Sequence, residues 1–480
     1  MKRARIANLR LPGAIVVALL CPACAALRAP PPAQASLRET APIVMPATQA
    51  QGEPRWPGAQ WWKNYADPIL EQLVQTAIGT GPTIATADAR IRAAEQQVRV
   101  AGAALGLTVT AQAAYSRQRL SDNGMIPPEF LGFHWYDQSD LGVAVRYQFD
   151  WWGKQRAAIE GAMDRARASA AEREAASLGL AAAVATAYFN WQADSARVAL
   201  QEQAIALRER QLALAQSRRA ADLENSDAVL EAGRQLAAQR EQLAMARGAR
   251  QLDLVNLAGL LGVDAAALPA LSVRPLPQID AGLPADAGTN LLARRPDIQA
   301  SRWQVQAALR DTDAARASFY PDISLHALAG LSSIDVGKLL AAGSRAPQFG
   351  FAIDLPLFDA GLRRARHSAA AASLDIAVAA YNDAVVNAAH EAGLAAAALE
   401  QAGAQQAQRE LQLAAARSLS AAANARLQRE LTHAGPALAA QLTELTEQEQ
   451  LVRVQLVAVL ADVQLKQALG GDPAPRETTP

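Results

Sequence analysis

The residues that could do chemistry in this chain indicate attachment rather than catalysis. Cys21 and Cys24 are the only cysteines. Cys24 follows a basic N-terminus, an apolar run over 11–20 and small residues, which is the pattern of an export signal. We therefore expect residues 1–23 to be a signal peptide and Cys24 to carry acyl chains that anchor the chain in membrane lipid. The alternative is cleavage after Ala25, which would discard Cys24.

The other reactive side chains show no catalytic or metal-ligand spacing. No H-E-x-x-H, G-x-S-x-G, P-loop or G-x-G-x-x-G pattern occurs, so we expect neither an enzyme, a cofactor nor a metal site. Basic and acidic residues number 46 each, and removal of the signal peptide leaves 42 basic residues against 46 acidic. Nucleic-acid binders usually carry a basic excess, so a nucleic-acid partner is not expected.

The chain repeats itself. Gly153 matches Gly361, 208 positions later, and the same ungapped register ends on Gly262 and Gly470. A repeat at a fixed offset indicates duplicated structural units. The predicted organisation is a strap over 24–60, repeat 1 over 61–264, a proline-rich connector over 265–290, repeat 2 over 291–470 and a tail over 471–480.

Within each repeat the apolar periodicity changes from helical to alternating and back. Polar and proline-containing sequence over 24–60 shows neither period and predicts an extended strap. Ser226 is the expected N-cap of the first return helix, and Pro436 a first-turn residue of the second. The predicted elements are helices 82–104 and 296–318, strands 107–117, 141–149, 321–331 and 349–355, and long helical hairpins over 155–260 and 361–469.

The alternating strands carry small or polar residues on one face, which is typical of a barrel wall that faces lipid. A soluble, half-buried sheet alternates equally well and remains the alternative. His326 lies on the polar face and is expected to line a pore. Four strands cannot close a barrel, and lipid does not tolerate an open sheet edge, so the chain must oligomerise. The expected interfacial aromatics at the helix-side strand ends are Trp151, Trp152, Phe319, Tyr320 and Phe358.

Several sequence motifs together carry a family resemblance. They are WW at 61–62 with DP at 67–68, YQFDWWG at 147–153, AYF at 187–189, LLARRPDI at 291–298, ASFYPDISL at 317–325 and LPLFDAG at 355–361. With these motifs the chain resembles the TolC-like outer-membrane efflux channels, in particular the lipoprotein branch of multidrug and fusaric-acid-type systems. The resemblance covers almost everything from Trp61 onward.

The resemblance implies a mainly α protein with membrane β-strands, built from two tandem repeats that each hold a β-hairpin and long antiparallel helices. It implies a homotrimer with a 12-stranded β-barrel in the Gram-negative outer membrane and an α-helical tunnel in the periplasm. The channel would be a passive conduit for drugs, aromatic or other toxic small molecules. A periplasmic adaptor and an inner-membrane pump would be its partners. A periplasmic coiled-coil adaptor or scaffold lipoprotein, and a channel for protein secretion, remain alternatives.

The resemblance also directs attention to the two hairpin turns. Arg218 and Arg426 match the family's turn arginine, whereas Asp222 and Glu430 stand where the family usually has glycine. We therefore expect the turn geometry to depart from the family pattern. Near a threefold axis, the acidic side chains would form a ring that favours cations; a solvated hairpin tip is the alternative. The candidate tip and gate residues are Arg218, Arg219, Asp222, Glu224, Asp227, Arg426 and Glu430.

Overall fold

The computed structural model describes residues 35–38, 56–123, 125, 127–279 and 294–470. Three of the predicted features lie outside the described residues: the signal peptide, Cys24 and the C-terminal tail 471–480. The same is true of most of the strap and of the connector from residue 280 onward.

Helices make up most of the described chain, and four strands form its one sheet. The long helices are rich in alanine, which has the highest helix propensity. The elements are α1 Pro68–Thr80, α2 Pro82–Ala103, β1 Thr108–Arg119, α3 Pro128–Leu131, β2 Trp135–Phe149, α4 Lys154–Ala220, α5 Ser226–Leu261, α6 Pro296–Ala317, β3 Asp322–Ser333, β4 Gln348–Asp354, α7 Leu362–Gln428 and α8 Ala434–Leu469.

The tandem repeat is confirmed by matching element lengths. Helices α4 and α7 each have 67 residues, α5 and α8 each have 36, and α2 and α6 each have 22. Equivalent glycines end the return helices in the left-handed conformation, Gly262 at φ 72° and Gly470 at φ 88°. Glycine reaches this conformation without the steric cost that a Cβ imposes.

The four strands are antiparallel in the order β1-β2-β3-β4. The second strand begins at Trp135, earlier than the predicted residue 141, because Trp135 pairs with Arg119 and the two strands stay in register down to Thr108 opposite Arg146. The polar residues Asp137, Gln138 and Ser139 hide this extension from a search for alternating apolar residues. The other predicted strand and helix ends differ from the observed ones by one or two residues, as is usual for element boundaries.

The chain divides into two compact units, each described here by itself. The first contains Arg92–Arg167 and Arg302–Ala379, which include the whole sheet, and begins with Met1–Ser36. The second contains Leu37–Ile91, Ala168–Ser301 and Ala380–Pro480.

The second unit holds the largest hydrophobic cluster. Helix α1 starts on Pro68, and the side chain of Asp67 caps it by accepting hydrogen bonds from Ile69 N and Leu70 N. The other oxygen of Asp67 accepts a hydrogen bond of 2.7 Å from the Tyr188 hydroxyl on α4, so the cap also ties α1 to the long helix. The buried side chains of this cluster include Trp61, Leu70, Leu73, Val74, Ile84, Val184, Tyr188, Leu257, Val459 and Val463.

A buried arginine joins three segments at the start of the second repeat. Arg295 is 8% exposed and makes two hydrogen bonds to Asp297, at 3.0 and 2.6 Å. It also donates to Glu391 at 2.8 Å and to the carbonyl of Ala468 at 3.0 Å. A Cβ on Gly470 would lie 2.8 Å from Arg295 Cγ, so glycine leaves the space that the arginine stem occupies.

Replacing Arg295 should be strongly destabilising because two carboxylates and a helix-terminal carbonyl would lose their donor. We expect Arg295→Ala to lower the free energy of unfolding by about 2 kcal/mol, because the buried arginine loses its hydrogen bonds and the packing of its stem while both carboxylates remain partly exposed to water. Arg302→Ala, an exposed arginine on α6, is the matched control and should change it by less than about 0.5 kcal/mol. Urea unfolding of the detergent-solubilised protein measures both, and equal effects would contradict the assignment.

Candidate functional site

One face of the sheet is apolar along its whole width. The register places Val109, Val145, Ala327 and Phe349 side by side in one row of this face. Edge strand β4 contributes the most exposed side chains, with Phe349 85%, Phe351 72% and Ile353 71% exposed. A contiguous exposed apolar face of this kind marks a surface that contacts lipid or another protein.

The opposite face is polar or small. One of its rows contains Thr108, Arg146, His326 and Gly350, and the glycine pair Gly142 and Gly330 lies four strand positions further along. His326 therefore lies on the polar face, as the alternation of β3 predicts, directly opposite Arg146. Among the described residues, no group of three or more His, Cys, Asp or Glu side chains could hold a metal ion.

Four of the five aromatics predicted at the helix-side strand ends are exposed. Trp151 is 68% and Phe358 89% exposed, and Trp152 stacks on Tyr320 with ring centroids 4.7 Å apart. The indole of Trp152 also donates a hydrogen bond to the carbonyl of Pro321. Phe319 differs, because it is half-buried and its ring meets His367 of α7 edge-on at 6.2 Å.

Both hairpin turns adopt the same conformation. Asp222 has φ 57° and Glu430 has φ 59°, and both are in the left-handed region. In the first turn the amide of Leu223 donates to Arg218 O and that of Asp222 to Arg219 O, which is the Schellman pattern. The amides of Leu431 and Glu430 repeat these bonds in the second turn. The expectation that the turns depart from the glycine-type geometry is wrong.

A left-handed residue with a Cβ stores strain of about 1–2 kcal/mol relative to glycine. Asp222 and Glu430 retain the geometry because two main-chain hydrogen bonds in each turn satisfy helix-terminal carbonyls that would otherwise lack a partner. Both side chains are exposed carboxylates at equivalent positions of the two repeats.

The remaining candidate turn residues are brought together only in part. Arg218 forms an ion pair with Glu224 at 3.0 Å across the first turn. Arg219, Asp227 and Arg426 are exposed, and within the described part of the chain they form no ion pair.

The caps of the two return helices differ from the prediction. Asn225, not Ser226, caps α5, and its side chain accepts a hydrogen bond from Ala228 N. His433, the residue 208 positions later, caps α8 by accepting from Gly435 N. Pro436 is a first-turn residue, as predicted. The repeat register pairs Asn225 with His433, and that pairing is the signal that could have located both caps.

The comparisons with known proteins agree with this geometry. The family model described as "Outer membrane efflux protein" matches residues 73–263 and 288–471. The multidrug resistance outer membrane protein MdtP of Escherichia coli K12 is 33% identical over 423 residues, which cover 87% of each chain. The chain belongs to the outer membrane efflux protein family. It is an outer-membrane efflux channel protein.

Other relatives and solved structures extend the comparison. The multidrug resistance outer membrane protein MdtQ of Escherichia coli O6:H1 is 30% identical, covering 71% of this chain and 73% of that protein. The crystal structure of the outer membrane protein VceC of Vibrio cholerae is 30% identical, covers 87% of this chain and all of that one, and has a TM-score of 0.75. The outer-membrane channel OprN, at 24% identity and a TM-score of 0.82, shares the fold.

One helix of this efflux protein, Leu362–Gln428, is long and apolar enough over part of its length to cross a membrane by composition. Core helices of soluble proteins meet the same criterion, so it assigns no helical span. The sheet, with its exposed apolar face, is the part of the efflux protein whose pattern indicates contact with lipid.

A charged cluster joins the helical hairpins within the second unit. Arg197 on α4 pairs with Asp194 at 2.7 Å and with Glu449 of α8 at 3.2 Å. Asp253 of α5 approaches the Asp194 carboxylate, and one of its oxygens is buried without a hydrogen-bond partner among the described residues. Burial, with the like charge of Asp194, raises the pKa of Asp253 from its ordinary value of 3.8 to about 7.

The Asp253 carboxyl should make stability depend on pH. Because its pKa is higher in the folded chain, the folded state binds more protons than the unfolded state between about pH 4 and 7, and stability falls as pH rises through that window. One proton contributes at most about 1.4 kcal/mol per pH unit, and solvent screening of a half-buried group reduces this slope. Asp253→Asn should remove the loss of stability at high pH, because asparagine carries no charge. The variant should therefore be more stable than the wild type at pH 8 and equally stable at pH 4.

Thermal unfolding between pH 4 and 8 measures this difference. Asp264→Asn, an exposed aspartate beyond the end of α5, is the control and should give a difference that does not change with pH. A parallel shift of Asp253→Asn and wild type across the whole range would contradict the assignment.

Proposed function

We propose that three copies of this chain close one 12-stranded barrel and act as a passive conduit for small molecules across the outer membrane. The observation that carries the proposal is the four-stranded sheet, whose outer strands β1 and β4 have no further neighbour among the described strands and whose apolar face is exposed. In lipid, unpaired backbone groups cost several kcal/mol each, so an open sheet must be completed. Three sheets of four strands provide a closed wall of a size known for membrane barrels.

The cargo and partners follow from the relatives rather than from a binding site. MdtP and MdtQ are named multidrug resistance outer membrane proteins, which favours drugs and other toxic small molecules over secreted proteins. A channel without an energy source of its own needs a pump, so an inner-membrane pump and a periplasmic adaptor are the proposed partners. Catalysis forms no part of this function.

A lipid anchor on Cys24 is consistent with how the strap is held. The amide of Ala35 donates a hydrogen bond of 3.0 Å to Asp375 on α7. Asp375 lies 13 residues after the start of α7 at Leu362, about 20 Å along the helix. The 11 residues from Cys24 to Ala35 can span at most about 40 Å. Cys24 can therefore reach the level at which α7 meets the strands.

Native mass spectrometry of the protein extracted in mild detergent from isolated outer membranes tests the proposal. We expect a particle of three chains, each heavier than residues 24–480 by the mass of its acyl chains. A three-chain particle without added mass would support the shared barrel and contradict the lipid anchor. A monomer recovered from the soluble periplasm would contradict the channel and favour the adaptor or scaffold alternative.

The turn residues are proposed to act at the periplasmic end of the conduit. Around a threefold axis, Asp222, Glu224, Asp227 and Glu430 would form an acidic ring, and Arg218, Arg219 and Arg426 would pair with it or contact the adaptor. The exposure of Asp222 and Glu430 at equivalent turn positions supports this arrangement. A ring of carboxylates in a pore favours cations.

Neutralising both left-handed residues tests the acidic ring. We expect Asp222→Asn with Glu430→Gln to reduce the preference for K⁺ over Cl⁻ in planar bilayers, because these changes remove charge and keep side-chain size. Glu202→Gln, which neutralises a carboxylate paired with Arg247 in the body of the first hairpin, is the control and should leave selectivity unchanged. Unaltered selectivity in the double variant would leave only a solvated hairpin tip.

A further inference from the structure

One row of the polar face of the sheet contains two adjacent basic residue types, an arginine and a histidine, that the conduit itself does not require. This row, the cationic row, consists of Thr108, Arg146, His326 and Gly350, paired side by side across β1, β2, β3 and β4. We infer that the cationic row attracts anionic compounds inside the barrel, so that organic anions are favoured over cations at this level. The inference rests on the proposed barrel, in which the row would occur three times.

Arg146 is available to a passing solute. It is exposed, and it forms no ion pair with any residue of the described chain. The other two arginines of the strands have acidic neighbours, Arg117 beside Asp137 at 4.0 Å and Arg119 beside Asp122 at 3.2 Å. Arg146 is therefore the strand arginine whose charge no carboxylate neutralises among the described residues.

His326 extends the row toward β4. A Cβ built on Gly350 would lie 3.1 Å from His326 Nε2, so the imidazole covers the backbone of Gly350 and a larger residue there would displace it. The groups paired with His326 are Arg146 on β2 and Gly350 on β4, of which only Arg146 is charged.

The acidic residues of the polar face are too far away to cancel this charge. The rows on either side of the cationic row, which contain Ala144 and Ser324, carry no charged side chain. Asp322 and Asp354, which are paired across β3 and β4, each lie four strand positions from the row, about 13 Å, and Asp140 lies six positions from Arg146, about 20 Å. Both distances exceed the screening length of about 8 Å at physiological ionic strength. Asp322 is also neutralised by Lys154 at 3.4 Å.

Charged thiol reagents can measure the local potential at this level, independently of any constriction elsewhere. Ala144→Cys places a thiol on the polar face two positions from Arg146, and Val143→Cys places one on the apolar face. Full-length protein in isolated outer membranes is treated with an anionic methanethiosulfonate (sulfonatoethyl) or a cationic one (trimethylammonioethyl). The ratio of the two modification rates gives the sign of the local potential. Both reagents react with the same thiolate, so a change in thiol ionisation affects the two rates equally and does not alter their ratio. Protein without a reporter cysteine gives the background.

We expect the anionic-to-cationic rate ratio at Ala144→Cys to fall about threefold when Arg146→Gln is added, as one charge about 7 Å away in screened water predicts. Arg146→Lys should retain the ratio, and this variant keeps the test valid if Arg146→Gln folds poorly. Arg117→Gln, on the other face, is the control and should have no effect.

The outcomes separate the inference from the function on which it rests. Equal modification of Ala144→Cys and Val143→Cys would contradict the barrel, and the cationic row would then face no pore. Selective modification of Ala144→Cys would support the barrel. If Arg146→Gln then left the rate ratio unchanged, or if Arg117→Gln lowered the ratio by the same factor, the inference would be overturned.

Discussion

The requirement that every backbone amide and carbonyl in lipid find a partner governs this protein. The described part of one chain supplies four strands, and pairing among them satisfies the inner strands β2 and β3 but leaves one side of β1 and of β4 without a partner among those strands. Those edges include some of the most apolar and exposed side chains of the sheet, such as Phe349 and Phe351. The unpaired edges are unfavourable in lipid and the apolar face is unfavourable in water, so the proposed barrel, in which other copies pair with both edges, meets both requirements.

The helical part of the chain meets a different requirement with different residues. Its interfaces are built from alanine and a small number of large side chains such as Tyr188 and Trp61, so the helices can approach closely. Charged side chains at those interfaces are retained where several partners share them. Arg295 is satisfied by two carboxylates and a carbonyl, whereas Asp253 faces Asp194, and burial with this like charge raises the pKa of Asp253 to about 7. Close packing and exact polar pairing together replace a thick aromatic core.

The repeat, the class of the helices and strands that occur in both repeats, and the two faces of the sheet could be predicted from the sequence, whereas helix α1 was not predicted. The repeat is detectable because glycines and arginines match at one offset, whereas alanine is so frequent in these helices that its matches locate nothing. The extension of β2 to Trp135 could not be predicted, because Asp137 and Gln138 interrupt the alternation and only pairing with β1 makes that segment a strand. The prediction of the turn geometry was wrong for a related reason. Residues with a Cβ disfavour positive φ, but at Asp222 and Glu430 the main-chain hydrogen bonds of the turn outweigh this preference. The roles proposed for the charged turn residues involve neighbouring chains, so they cannot be derived from the sequence of one chain.

The equal lengths of the paired helices reveal where evolution could alter this chain. Each residue added to an α-helix turns everything beyond it by about 100°, so an insertion in α4 or α7 would rotate one contact surface away from its neighbours. The two copies have kept 67 residues in both helices since they diverged. The segments that link the paired strands have different lengths in the two repeats, since β1 and β3 are offset by 214 positions and the long helices by 208. The six residues of difference lie in the segments linking β1 to β2 and β3 to β4. Changes in length are absorbed there, which makes those links the natural place to insert a foreign peptide.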